Sequence, residues 1–296
     1  MTDQTRGILW MSASVVVFIF NDALIKLAAE TMPAIQAIGL RGCFATVWCG
    51  LALLASGAWR QVPTITHRSV LARGVLEAAA STFYLVALFH IPFAIATAVN
   101  MSTPLFLAIL AVLVLGEDVR WRRWCAIAVG FAGVLMVIQP RPGDANLWTW
   151  VVVFASFLGA SRDILGRYVP RHVPSLVVSL GSALALAFVG CAWTTVVGWQ
   201  PMSLRGIGFV AASSVLLAIG YQTLMLALRS KAEISVMGAF RYASVLWALL
   251  IGFVVWGDLP NKLALGGIVV VIASGLYILR RQRERAGPRH AQRIVP

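Results

Sequence analysis

The chain has 296 residues, of which 60% are apolar and 12% charged, with 24 Lys and Arg against 11 Asp and Glu. A soluble domain carries roughly twice that charged share, so the composition excludes an ordinary water-soluble enzyme and a disordered chain. The formal charge of +13 does not mark a nucleic-acid binder either, because the cations sit in short punctuations between long apolar runs, not on one exposed face.

Ten apolar segments follow one another, at about 7–28, 33–56, 70–89, 92–115, 121–139, 147–168, 174–197, 205–228, 233–256 and 263–280. A span takes roughly 20 apolar residues at 1.5 Å rise each. In hydrocarbon the backbone must satisfy its own hydrogen bonds, so the expected fold is all-α: a polytopic membrane protein with ten transmembrane helices. The first segment starts after Arg6 and runs on past Asn21 and Asp22 without a small-residue cleavage site, which reads as a retained span and not a signal peptide. In the second, Gly39 and Gly42 have the spacing of close helix packing, as have Gly130 and Gly133 in the fifth. Pro104 lies within the fourth, where it frees a backbone carbonyl and marks a hinge.

The four cysteines lie inside apolar runs and the four histidines are scattered. No zinc pattern, Walker loop or nucleophile elbow is present, so neither a metal, a cofactor, an enzyme nor an ATP-driven pump is expected. Orientation follows from the cations. With the N-terminus in the cytoplasm, seventeen Lys and Arg fall on the inner side, against Arg141, Arg205 and Lys262 outside. Both termini are therefore expected in the cytoplasm, in a bacterial-type inner membrane, with basic groups facing lipid.

A shift of 141 residues superposes the halves without a gap. Asp22 falls on Asp163, Lys26 on Arg167, Pro33 on Pro174, Gly116 on Gly257 and Glu117 on Asp258. Five helices per half is an odd number, so the second half enters from the other side. Residues 1–141 and 142–296 are thus expected to form two inverted five-helix repeats, a recurrent transporter design with the site at the midplane.

Several stretches then acquire a family look: Tyr84 to Leu88, Pro92 to Ala96, Ser102 to Phe106, Leu115-Gly116-Glu117-Asp118, Arg123 to Ile127 and Gly130 to Leu135. They resemble the EamA-like, ten-helix branch of the drug/metabolite transporter superfamily. The spacing of Asn21, Lys26, Pro33 and Arg41 fits the same pattern. The second half carries it more weakly, with Gly257-Asp258 for Gly-Glu and Val245 for Pro104. Among that family the chain looks nearest to the YddG-type amino-acid exporters. The resemblance implies outward movement of small metabolites.

Charges at membrane depth are costly, by at least about 2.5–3.5 kcal/mol near the centre. They must pair, line water or reach an interface. Asp22 and Arg41 lie about 9–12 Å from the outer end of their helices, a depth that allows an Asp22–Arg41 helix pairing. Glu77, Arg162, Asp163 and Arg241 lie about 8–12 Å from the inner end and form a second group. Tyr84, Asn100, Tyr221, Gln222 and Tyr242 are uncharged and deep, fit to hydrogen-bond a solute's ammonium or carboxylate. Glu77, Tyr84, Asn100, Arg162, Asp163, Tyr221, Gln222, Arg241 and Tyr242 are the expected substrate-binding residues. Glu77 is the leading carboxylate, paired with Arg241 and able to carry a proton through the cycle. The expected function is secondary transport of small amphipathic metabolites, amino acids foremost, by alternating access. A broad-range permease or a channel-like facilitator are the alternatives. Monomer and homodimer are both open.

Overall fold

The computed structural model describes residues 3–115, 121–138, 147–230 and 243–286, and the regular structure among them is helical throughout. Helix α1 spans Asp3–Ala29, α2 Ala34–Ala55, α3 Arg68–Leu88, α4 Phe93–Asn100, α5 Thr103–Leu115 and α6 Trp121–Ile138. In the second half, α7 spans Leu147–Arg167, α8 Ser175–Val197, α9 Leu204–Arg229, α10 Ala243–Trp256 and α11 Lys262–Ala286. Seven stretches are long and apolar enough to cross a membrane, with α4 and α5 counting as one. Trp124–Val137, Ser244–Trp256 and Lys262–Ser274 are apolar but shorter, so length and composition alone do not reach ten spans.

Local chemistry sets the helix ends. Pro33, Pro92 and Pro174 sit at N-caps, where a missing N–H costs nothing. Ser203 Oγ accepts from Gly206 N at 3.0 Å, and Asn261 Oδ1 from Ala264 N at 2.8 Å. Gly57 and Gly198, with φ of 71° and 99°, turn the chain out of α2 and α8, a backbone conformation that a Cβ disfavours. These two glycines stand 141 residues apart.

Two expectations change. Residues 58–66, read as a loop, form a 3-10 helix against α8. The fourth span is interrupted: α4 ends at Asn100 and α5 begins at Thr103, so the discontinuity expected at Pro104 is present just before it. Pro104 has no N–H to offer the Asn100 carbonyl, and Thr103 Oγ1 bonds that oxygen instead, at 2.7 Å.

The most extensive helix pairs all join one half to the other: α1 with α9, α3 with α7, α2 with α8, and α6 with α11. Exchanging the halves by the 141-residue shift turns α1–α9 into α7–α3 and leaves α2–α8 and α6–α11 unchanged. Glycine permits the closest approaches. A Cβ on Gly39 would stand 2.8 Å from Cys191 N, and one on Gly133 would stand 2.9 Å from Gly267 O. The main core cluster runs through α1–α4 and α6–α11, with Ile25, Phe93 and Val152 fully buried.

Candidate functional site

Within this core lies a cavity of about 150 Å³. Asn21, Asp22 and Phe18 of α1, Arg41 of α2, Glu77, Ser81 and Tyr84 of α3, and Thr97 and Asn100 of α4 line one side. Gly159 and Arg162 of α7, Leu217 of α9 and Ser244 of α10 close it from the second half. The polar groups come from deep positions in long apolar helices, where their cost is tolerable only around such a cavity.

Glu77 is fully committed. Its Oε2 accepts from Arg162 Nη1 at 2.8 Å, and its Oε1 accepts from Ser81 Oγ at 2.8 Å and Tyr221 O–H at 3.2 Å. Arg162 is also held by Asp163, whose Oδ1 accepts from Nε at 2.9 Å and lies 2.8 Å from Nη2. The bridge joins α3 of the first half to α7 of the second. Arg73 stands within electrostatic reach of Glu77 and Asp163.

A second polar group lies toward the C-terminal end of α1. Asn21 Nδ2 donates to Asp22 Oδ1 at 2.9 Å, and Arg41 Nη1 approaches Asn21 Oδ1 at 3.4 Å. The expected Asp22–Arg41 pairing is therefore indirect: the Asn21 amide stands between the charges. Tyr84 lies beside Asp22. Asn100 Oδ1 accepts from Ser156 Oγ at 3.0 Å and Thr103 Oγ1 at 3.2 Å, so the interruption before α5 fixes this amide at the wall.

One turn beyond Asp22 the ends of α1 and α10 meet the start of α4 in a polar and aromatic roof. Lys26 follows Asp22 by four residues and Phe93 precedes Thr97 by four, so each lies on the cavity-lining face of its helix. Lys26 Nζ donates to Ile91 O at 2.8 Å and lies 5.2 Å from the centre of the Trp256 ring. Trp256 Nε1 donates to Glu30 Oε1 at 2.9 Å, and its ring packs on Phe93 at 5.6 Å. The roof thus ties α1 and the start of α4 to the end of α10.

Of the expected binding residues, Glu77, Tyr84, Asn100 and Arg162 line the cavity, while Tyr221 and Asp163 reach it through Glu77 and Arg162. Gln222 does not join them; its Nε2 donates to Ser175 Oγ at 2.9 Å, on α8. Arg241 and Tyr242, and with them the expected Glu77–Arg241 pair, lie outside the described residues; among the described residues Glu77 is paired by Arg162. Sequence reasoning missed two groups. Arg73, counted only among the cations of the inner side, is 1% exposed inside α3 and donates to Ser182 Oγ at 2.7 Å. Its signal was its place six residues beyond His67, which caps α3. Asn21 was seen only as part of a family spacing, with nothing to show that it parts two charges.

A bundle of apolar helices around a charged cavity, with no sheet among the described residues, defines a polytopic membrane protein of the transporter class. Residues 5–139 match the EamA-like transporter family. It is 23% identical over 288 residues to the S-adenosylmethionine uptake transporter of Rickettsia prowazekii, covering 96% of each chain. It is 26% identical over 285 residues to the pseudopaline exporter CntI of Pseudomonas aeruginosa, covering 94% of this chain and 97% of that one. The riboflavin transporter of Brucella anthropi matches at 25% over 236 residues, 78% of this chain and 83% of that one. A crystal structure with 19% identity shares the fold at a TM-score of 0.71, over 94% of this chain and 99% of that one. The family and these relatives are transporters, not enzymes.

Proposed function

We propose that the chain is a secondary carrier of the inner membrane, with both termini cytoplasmic, that moves small amphipathic metabolites, amino acids foremost, by alternating access. The observation that carries this reading is the cavity: it is built by both halves, and its charges balance. Asp22, Glu77 and Asp163 stand against Arg41, Arg73 and Arg162 in and around it. Such a site suits a solute that is neutral overall and bears both charges. Val15, Ile19, Leu85 and Leu217 supply apolar wall for its side chain.

The symmetric helix pairing, and Gly57 and Gly198 at equivalent helix ends, support two inverted repeats that rock about the cavity. The Lys26–Trp256 roof closes the outer side, and the Glu77–Arg162 bridge ties the halves beneath it. Exchange of Arg162 for a proton on Glu77 couples the rocking to the proton gradient. Movement is outward, as the family resemblance implies; the relatives named above include both an uptake protein and an exporter.

The test is the purified chain in proteoliposomes with a panel of labelled amino acids. Saturable exchange of one or a few of them, well above empty liposomes, is expected. Absence of exchange for the whole panel, or unitary ion currents in planar bilayers, would overturn the reading.

A further inference from the structure

We propose that Arg41 and Asp22 read the two charged ends of the solute: Arg41 takes its carboxylate and Asp22 its ammonium group. This rests on the cavity being the transport site. Two arginines line the cavity, and they are in opposite states. Arg162 is spent, with Nη1 on Glu77 and Nε and Nη2 on Asp163. Arg41 is not. It is 2% exposed, its one protein hydrogen bond among the described residues is the 3.4 Å contact to the neutral oxygen of Asn21, and its Nε has no partner. A guanidinium has five N–H donors, and burying them unmatched is costly.

The cheap solution was one side chain away. Asp22 lies within electrostatic reach of Arg41, and a direct ion pair would satisfy both. Asn21 prevents it. Its oxygen faces Arg41 and its nitrogen holds Asp22, so the two charges are kept one amide apart. The result is a cationic fork short of partners and, one amide away on the wall of the same cavity, a carboxylate with no cation in contact. A planar carboxylate matches the fork in shape and charge. An ammonium group brings three donors to Asp22, which has Tyr84 beside it. The solute class is therefore a small zwitterion with adjacent amino and carboxyl groups and an apolar side chain. Asn21 is the spacer that keeps the reader open.

The experiment uses the purified full-length protein and three matched probes: L-phenylalanine, phenethylamine, which lacks the carboxylate, and 3-phenylpropionate, which lacks the amine. L-leucine and L-methionine with their corresponding analogues extend the series. Affinity is read from ligand-dependent thermal stabilisation. Wild type should bind the amino acid about tenfold or more tighter than either analogue. Arg41→Gln should lower affinity for the amino acid to that for the amine and leave the amine unchanged. Asp22→Asn should do the same with respect to the acid analogue. Equal binding of all three probes by wild type overturns the Arg41–Asp22 assignment and leaves the carrier reading standing. No binding of any probe in any series sinks the amino-acid carrier reading and the assignment with it. The wild-type comparison needs no variant, so it decides the matter even where Arg41→Gln fails to fold.

Discussion

Glu77→Gln keeps the shape of a carboxylate that accepts three side-chain hydrogen bonds and removes its charge. The geometry says what is lost. The amide oxygen still accepts from Ser81 Oγ and Tyr221 O–H, at 2.8 and 3.2 Å. The amide nitrogen now faces Arg162 Nη1, donor against donor, where a 2.8 Å ion pair stood. Breaking a fully buried pair costs about 3–5 kcal/mol, because a bare charge remains. Here Arg162 keeps Asp163, so the loss falls to that of one charge-assisted hydrogen bond, about 1.5–3 kcal/mol. The variant should insert, stay monodisperse and melt at a somewhat lower temperature. Transport should fall about tenfold or more, the scale of one lost charge-assisted contact, and lose its dependence on pH. Proteoliposome exchange across a pH series, beside a melting curve of the same preparation, separates the two effects. A folded Glu77→Gln protein that transports at the wild-type rate with an unchanged pH profile would refute the reasoning, and Glu77 would be a static brace between α3 and α7.

Lys26→Met keeps the stem but removes the Nζ–Ile91 bond and the charge over Trp256, so the roof should open more often. A single cysteine at Thr97, in a background without the four native cysteines, should then react several-fold faster with a membrane-impermeant thiol reagent added outside; an unchanged rate would show that the roof does not gate the cavity. Gly190→Ala places a methyl group against the backbone of Gly39, which cannot yield without moving α2 from α8. It should destabilise the protein by about 1–3 kcal/mol, read as a lower melting temperature, and a neutral result would contradict the close crossing.

What the residues disclosed in advance follows from what hydrocarbon makes expensive. Apolar runs long enough to span, and charges standing inside them, are visible because no soluble context produces both. The interruption before α5 was legible for the same reason: a proline removes a hydrogen bond that lipid cannot replace, so a protein group must, and Thr103 does so here. Partner choice was less visible. Depth along a helix fixes one coordinate, and Glu77, Arg162 and Arg241 share it. Which of them meet depends on how each helix is turned about its axis. The packing of α3 on α7 brings Arg162 to Glu77. Arg73 lies within the 70–89 segment, but a cation so near a span end reads as an interfacial charge, whereas α3 begins at Arg68 and carries Arg73 to Ser182. Gln222 looked equivalent to the cavity residues but faces α8, one residue beyond Tyr221 and so about 100° further round the helix.

The same reasoning identifies where the two proposed repeats part company. At equivalent positions stand Asn21-Asp22 on α1 and Arg162-Asp163 on α7, and in both the first residue donates to the aspartate that follows it. In the second half that donor is a cation, so Asp163 is neutralised and Arg162 has charge left for Glu77. In the first half it is a neutral amide, so no cation touches Asp22 and Arg41 is left without a counter-ion in contact. One exchange of Asn for Arg at a single repeat position thus separates a closed ion-pair network from an open one. A symmetric scaffold supplies the rocking motion, and a binding site at its centre needs only this local break in symmetry to hold a solute with two unlike ends.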